Sequence, residues 1–182
     1  MDQGQIAQSG PWLAVGREVA ETLARVHASA FESLVDVFRD KGRRWFFSGQ
    51  GRSGLVAEMA AMRFMHIGRA AHFVGEATAP SIRADDGLCV ISGSGKTSVS
   101  LHFGRIAKVE GAKIALITRE PGSELAKLAD CVFHIPIETT RQFGGSLFEQ
   151  ASLIVLDSVV LELMQAIPDA HRLMLSRHTN LQ

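Results

Sequence analysis

Hydroxyl residues and glycines alternate in the segment Ser92-Gly93-Ser94-Gly95-Lys96-Thr97, which follows a short apolar run. The glycines let the backbone approach a ligand closely, and the hydroxyls of Ser92, Ser94 and Thr97 can donate hydrogen bonds to it. The amides that begin a following helix, and the dipole of that helix, favour an anion at the same place. The segment therefore predicts a phosphate-binding site, with an ordinary helix cap by one hydroxyl as the alternative.

The same segment is similar to a Walker motif but does not meet its requirements. The pattern G-x-x-x-x-G-K-[ST] needs a glycine at position 90, where the chain has Val90. No acidic partner for a magnesium ion is evident in the sequence. We therefore expect this loop to bind a phosphate monoester rather than ATP.

Glu149 is the strongest candidate for a reactive group opposite the phosphate. At about 100° per residue it lies on the same helix face as four apolar residues. These residues are Leu153, Leu156, Val160 and Leu163. A partly desolvated carboxylate in this position suits the task of a general base. The alternative is that Glu149 only complements the positive amino terminus of its helix.

A second glycine-rich loop, Gly49-Gln50-Gly51-Arg52-Ser53-Gly54, also lies between a strand and a helix. It matches G-x-G-x-x-G and is followed by Glu76, so a dinucleotide site is one interpretation. A tight turn from strand to helix is another. Two features weaken the dinucleotide interpretation, because the chain has little room for a separate substrate domain and Glu76 lies beyond Gly75.

Apolar periodicity places both loops in an alternating pattern of strands and helices. We expect strands over 44–48, 70–74, 88–92, 113–118 and 131–137, and helices over 53–67, 97–110 and 146–166. A helical stripe from Trp12 to Phe38 forms one helix, or two with a break at Ala28-Ser29. This pattern predicts an α/β fold in which helices cover both faces of a parallel sheet.

The elements predict a single domain over 1–182, with an N-terminal helical segment at 12–40 and a C-terminal tail at 168–182. In open parallel sheets, ligands bind beyond the carboxyl ends of the strands, where the strand order reverses. This rule selects the loops after the first and third strands, which are the two glycine-rich loops.

Composition limits the possible functions. Nineteen basic residues balance nineteen acidic ones in 182 residues, which disfavours nucleic acid as the main partner. Cys89 and Cys131 lie in apolar runs without metal-ligand spacing, so we expect them to be small buried residues. We find no signal peptide pattern and no membrane-spanning run, and we expect a cytoplasmic protein.

Histidines are further candidates for the site. His66 lies beside Met65 and Ile67, a setting typical of a structural histidine. His178 lies in the polar tail, which Leu175 and Leu181 could tether to the fold. On residue chemistry alone, His178 is either part of a frayed terminus or a site residue.

The two loops together, Gly51-Arg52-Ser53-Gly54 and Ser92 to Thr97, resemble the sugar isomerase (SIS) fold. Within it, the chain resembles the 6-phospho-3-hexuloisomerase family over nearly its whole length. The more specific marks are Arg63-Phe64-Met65-His66-Ile67-Gly68, Phe73-Val74-Gly75-Glu76-Ala77-Thr78-Ala79-Pro80, Phe148-Glu149 and the ending Arg177-His178-Thr179-Asn180-Leu181.

The resemblance implies a three-layer αβα sandwich with a five-stranded parallel sheet, similar to flavodoxin, assembled as a tetramer or dimer. It implies interconversion of D-arabino-hex-3-ulose 6-phosphate and fructose 6-phosphate in the ribulose monophosphate pathway, without a metal or nucleotide cofactor. An arabinose 5-phosphate isomerase and a non-catalytic sugar-phosphate sensor are the alternatives.

The resemblance also implies roles for individual residues. Glu149 would be the base, and His178 from a neighbouring subunit would complete the site. Arg52 would neutralise phosphate or enediolate charge, with a surface salt bridge as the alternative. The phosphate would be held by Gly51, Ser53, Ser92, Ser94 and Thr97.

Overall fold

The computed structural model describes residues 10–181. Residues 1–9 and 182 lie outside the described part. The expectation about a signal peptide concerns residues 1–9 and therefore also lies outside the described residues. The strands are β1 Trp45–Gly49, β2 Ala71–Phe73, β3 Gly87–Ile91, β4 Lys113–Thr118 and β5 Cys131–His134. The helices are α1 Pro11–Leu23, α2 Ala28–Val37, α3 Arg52–His66, α4 Ser98–Val109, α5 Ser146–Met164 and α6 Ala170–Arg177.

The five strands pair in the order β2-β1-β3-β4-β5, and every pair is parallel. The predicted five-stranded parallel sheet is therefore confirmed. The chain moves outward from β1 to β2 and then returns to the other side of β1 for β3. The strand order thus reverses between β1 and β3, so the two glycine-rich loops lie at the place where this architecture binds ligands.

Apolar strands explain why the sheet is buried on both faces. β1 and β3 are buried along their whole length, and β4 is exposed only at its first residue. One face packs against α2, α3 and α5 and contains the aromatic cluster of Phe38, Trp45, Phe47 and Phe64. The other face packs against α4 through Phe46, Leu88 and Leu101.

The two ends of the chain differ from the sequence-based expectations. The N-terminal stripe is broken between Leu23 and Ala28, earlier than Ala28-Ser29, and Arg25 in the break donates a hydrogen bond to the carbonyl of Pro136 at 2.8 Å. The tail contains α6, which periodicity did not reveal. The expectation that Leu175 and Leu181 tether the tail is wrong, because both are exposed and Met174 packs against the core instead.

Residues 10–181 contain neither a membrane-spanning helix nor a cluster of metal-ligating side chains. No helix in this range has the length and apolar character that a bilayer crossing requires. The same range holds no group of three or more His, Cys, Asp or Glu residues that could bind a metal ion.

The buried imidazole of His66 makes stability depend on pH. Burial lowers the pKa of His66 from its ordinary value, and the nearby His178 and Arg63 lower it further. The unfolded chain therefore binds a proton at His66 more readily than the folded chain does. The contribution of neutral His66 to the free energy of unfolding is fully present above about pH 6.5. It is lost as the pH falls through the pKa of His66 in the folded state.

We predict that His66→Gln makes the free energy of unfolding less sensitive to pH between 7.5 and 5.5. One proton per chain limits the difference in slope to about 1.4 kcal/mol per pH unit. Urea unfolding at several pH values measures it. His27→Gln, at an exposed histidine, is the control and should keep the wild-type slope. Equal slopes in all three proteins would show that His66 does not contribute.

Candidate functional site

The amino termini of α3 and α5 meet in an ion pair. The Nε of Arg52 lies 2.7 Å from Oε2 of Glu149, and a terminal nitrogen of Arg52 donates to Oγ of Ser146 at 3.0 Å. Ser146 in turn donates to the carbonyl of Phe143 at 2.9 Å. Two residues singled out separately in the sequence are therefore in direct contact.

The turn after β1 places Arg52 because it is built from glycines. A Cβ on Gly49 would overlap the backbone carbonyl of Ser53, so this position has room only for glycine. Gly51 has a φ of 57°, in the left-handed region where other residues are strained. The tight turn buries Ser53 in the first turn of α3 and leaves Arg52 half-exposed.

The turn after β3 is equally constrained. Gly95 has a φ of 59°, and a Cβ there would overlap the side chain of Ser123. The Oγ of Ser94 accepts a hydrogen bond from the amide of Lys96 at 3.2 Å. Within residues 10–181, the hydroxyls of Ser92 and Thr97 make no hydrogen bond, although Thr97 occupies the N-cap position of α4. The helix-cap alternative therefore does not account for these two hydroxyls.

Backbone amides in the same loop are also available to a ligand. Across the described range, the amides of Ser98, Val99 and Ser100 in the first turn of α4 have no backbone acceptor. Such amides, together with the helix dipole, form an anion site. Free hydroxyls and free amides thus occur on one short loop, as phosphate binding requires.

The helix turn that carries Glu149 contacts this loop through the preceding residue, Phe148. The ring of Phe148 packs against Gly93, where a Cβ would lie 3.3 Å from its Cδ1 atom. The Glu149 side chain is 16% exposed, and Leu156, Val160 and Leu163 on its predicted face are buried. The carboxylate is therefore partly desolvated and belongs to a helix that packs against the predicted phosphate loop. Its place in the first turn of α5 also agrees with the helix-terminus alternative.

The segment before α5 is held by Glu18, which sequence reasoning did not select. Its carboxylate accepts hydrogen bonds from the amide of Arg141 at 2.9 Å and from the side chains of Thr140 and Gln142 at 3.1 Å. The Arg141 amide, followed by the Gln142 side chain, lowers the pKa of Glu18 below its ordinary value. α1 therefore fixes the approach to Glu149, a contact that only the folded chain reveals.

His178 lies far from Glu149 within one chain. Its ring stacks on that of His66 with centroids 5.5 Å apart, and His66 ends α3 while Arg52 begins it. A helix of this length separates its ends by about 20 Å. The structure therefore brings together Arg52, Ser53, Glu149 and the loop Ser92–Thr97, but not His178.

Sequence reasoning also missed residues at the carboxyl end of β4. Thr118 donates through Oγ1 to the carbonyl of Gly93 at 3.2 Å, and the amide of Arg119 donates to the same carbonyl at 3.1 Å. Ser123 fills the space beside Gly95. The available signal was their position, since the end of a parallel strand next to β3 must lie at the same edge of the sheet.

The dinucleotide interpretation gains nothing from Glu76. This residue pairs with His72, whose Nδ1 lies 3.0 Å from Glu76 Oε1. The Glu76 carboxylate is therefore already paired with a histidine of β2.

Comparisons with known proteins agree with this geometry. The family model described as the SIS domain matches residues 38–164. A 3-hexulose-6-phosphate isomerase of Mycobacterium gastri is 42% identical over 173 residues, covering 91% of this chain and 86% of the relative. A 3-hexulose-6-phosphate isomerase of Bacillus subtilis is 35% identical, covering 90% and 97%.

A solved structure supports the same assignment of fold. It is a Methanococcus jannaschii protein for which a molecular function of 3-hexulose-6-phosphate isomerase was inferred. The two structures superpose with a TM-score of 0.82 and 31% sequence identity, over 93% of this chain and 97% of that one. The predicted flavodoxin-like sandwich and the resemblance to the SIS family are thus confirmed.

We predict that Gly95→Ala weakens the binding of inorganic phosphate at least about tenfold. Alanine at this φ costs about 1–2 kcal/mol in backbone strain, and its methyl group would also displace Ser123. Isothermal titration calorimetry measures the affinity. Gly122→Ala is a matched control because a Cβ there meets nothing within 4 Å. If Gly95→Ala binds phosphate as the wild type does, the loop is not the phosphate site.

Proposed function

The chain belongs to the SIS domain family, and from this membership we propose that it interconverts D-arabino-hex-3-ulose 6-phosphate and fructose 6-phosphate. The observation that carries the proposal is the contact of Phe148, the residue before Glu149, with Gly93 of the hydroxyl-rich loop, together with the ion pair of Glu149 with Arg52. The named relatives support this choice of sugar. The reaction would serve formaldehyde fixation through the ribulose monophosphate pathway in the cytoplasm.

The phosphate would anchor the substrate so that its binding energy positions the reacting carbons. Ser92, Ser94, Thr97 and Ser53 would provide hydroxyl contacts, and Gly51 lets the backbone of the β1–α3 turn approach. No metal or nucleotide enters the proposed reaction. Proton transfer at carbons adjacent to a carbonyl needs only a base and a stabilised enediolate.

Glu149 would perform the proton transfer at carbon. Starting from fructose 6-phosphate, its carboxylate removes the proton from C3, and the C–H electrons form a C2–C3 double bond in a cis-enediolate with negative charge on O2. The protonated Glu149 then returns a proton to C2. The proton of the C3 hydroxyl moves to O2, so the carbonyl ends at C3 and all atoms balance. One base on one face serves both carbons.

Arg52 would stabilise the enediolate. It lies against Glu149 at 2.7 Å, so a substrate held beside Glu149 also lies within reach of the guanidinium. A cation at this place stabilises the transition state, where the C2 oxygen becomes negatively charged, more than it stabilises the substrate, whose carbonyl oxygen is uncharged. The salt bridge and the catalytic role are compatible, because the pair can be shared with the substrate.

We predict that Glu149→Gln lowers kcat for fructose 6-phosphate isomerisation by at least about a thousandfold while phosphate binding changes little. The amide keeps the shape of the side chain but cannot accept the proton. A coupled assay with fructose 6-phosphate and, separately, with arabinose 5-phosphate measures the rate. Glu124→Gln is the control, since Glu124 also pairs with an arginine, Arg105, on the surface.

Other outcomes of this experiment favour other functions. Full activity in Glu149→Gln would remove Glu149 as the base. Phosphate binding without isomerisation by the wild type would favour a non-catalytic sensor. Activity on arabinose 5-phosphate alone would identify that sugar as the substrate. Tight binding of NADH would favour the dinucleotide site.

We further infer that the protein assembles through an apolar surface formed by α3, α5 and α6. Its exposed residues are Leu55, Met59, Met62, Ile154, Leu161 and Leu175. On α5, Ile154 and Leu161 are exposed and lie outside the row of residues that packs against the core. A second copy of the chain is the proposed occupant, and four copies would form the tetramer that the family resemblance implies. A dimer is the alternative.

Assembly would also explain the position of His178. Since this residue lies about a helix length from Glu149 in its own chain, it can reach a site only in another subunit. We propose that it shuttles the hydroxyl proton or positions the sugar there. Its contact with the same apolar surface, through the groove lined by Met62 and Leu161, supports this proposal.

We predict that the double substitution Met62→Glu and Leu161→Glu dissociates the assembly and lowers kcat at least about tenfold. Charges introduced at the centre of an apolar interface cannot be solvated there. Analytical ultracentrifugation measures the mass. The control is Val109→Glu, an exposed apolar residue on α4 at a different surface. A monomeric wild type, or an unchanged mass in the double variant, would contradict assembly through this surface.

A further inference from the structure

Arg119 has a guanidinium without an anionic partner at the edge of the site. It directly follows β4 and is partly buried, and its Nε is enclosed by protein without a hydrogen-bond acceptor. Among residues 10–181, no carboxylate forms an ion pair with it. A buried donor left unpaired is costly, so such a group in a cleft calls for an explanation.

The side chain of Arg119 packs against the phosphate loop. A Cβ on Gly93 would lie 3.3 Å from Arg119 Nε and 3.3 Å from Cδ1 of Phe148. The missing side chain at Gly93 is therefore what allows the guanidinium and the ring to approach the loop. The guanidinium lies at the junction of the loop and the start of α5.

The backbone fixes this placement. The Arg119 amide donates to the Gly93 carbonyl at 3.1 Å, and Thr118 donates to the same oxygen at 3.2 Å. Thr118 also accepts the amide of Glu120 at 3.1 Å, which orders the turn after β4. The backbone of Arg119 is thus tied to the loop by its own amide and by the neighbouring Thr118 hydroxyl.

The charges nearby favour an anionic ligand. Arg52 is already paired with Glu149, whereas Arg119 has no counter-charge among the described residues. The hydroxyls of Ser92 and Thr97 and the free amides of α4 have the same need for an acceptor. A phosphate dianion beside the loop is an acceptor for such donors, and a guanidinium is well suited to bind two of its oxygens.

We propose that Arg119 is a phosphate-binding residue of the sugar-phosphate site, contacting the phosphate across Gly93. The identity of the sugar rests on the proposed function, but the phosphate contact does not. The two arginines would then have different roles. Arg119 would bind the phosphate, and Arg52 would lie beside the reacting carbons.

The test uses Arg119→Gln and Arg119→Lys with inorganic phosphate as the probe in calorimetry. The loss of one charge-assisted hydrogen bond predicts about ten- to hundredfold weaker phosphate binding in Arg119→Gln. Arg119→Lys should recover part of the affinity, because it keeps the charge but not the planar fork. Arg105→Gln is the matched control, an exposed arginine on α4 that pairs with Glu124.

Kinetics with fructose 6-phosphate separate this role from a role in the chemistry. Arg119→Gln should raise KM about tenfold or more and change kcat by no more than about threefold. Unchanged phosphate affinity, or a fall in kcat at constant KM, would overturn the proposal. If the wild type binds phosphate but does not isomerise the sugar, the proposed function fails while the phosphate titration still tests Arg119. Circular dichroism of each variant checks that the fold is intact.

Discussion

The contact between Arg52 and Glu149 joins α3 and α5, two of the helices that begin at the carboxyl edge of the sheet. At 2.7 Å with one side chain half-exposed, such a pair contributes at most about 1 kcal/mol to stability. Its significance is therefore orientation. The glycine turn after β1 places the guanidinium, and the Phe148 ring against Gly93 joins the start of α5 to the loop after β3. The proposed proton transfer depends on this convergence.

The proposed site divides into a part that would bind the phosphate and a part that would react. The binding part is a short loop whose hydroxyls and first-turn amides lack acceptors in the described chain. The reacting part is a partly desolvated carboxylate from a distant segment, with a cation beside it. In the proposed reaction, the phosphate would fix the sugar while Glu149 and Arg52 act at the carbons.

Sequence reasoning recovered the sheet and both loops because buried parallel strands are continuous apolar runs and the loops carry unusual residue types. The helical period also predicted correctly that Glu149 lies on a largely buried helix face. It could not recover contacts that join distant segments, such as the hold of Glu18 on the chain before α5 or the packing of Arg119 against Gly93. A single charged residue is not part of a periodic pattern, so the sequence alone does not predict its contacts. The tail was predicted less well still, because its short amphipathic α6 lies outside the repeating pattern.

Hydrogen exchange at carbon tests the central claim most directly. Fructose 6-phosphate is incubated with the protein in deuterium oxide, and the position of the label is read by nuclear magnetic resonance. Proton removal by Glu149 predicts deuterium at C3 of fructose 6-phosphate, with no label there when Glu149 is replaced by glutamine. Label at C1 alone, or label at C3 that survives the replacement, would contradict the account.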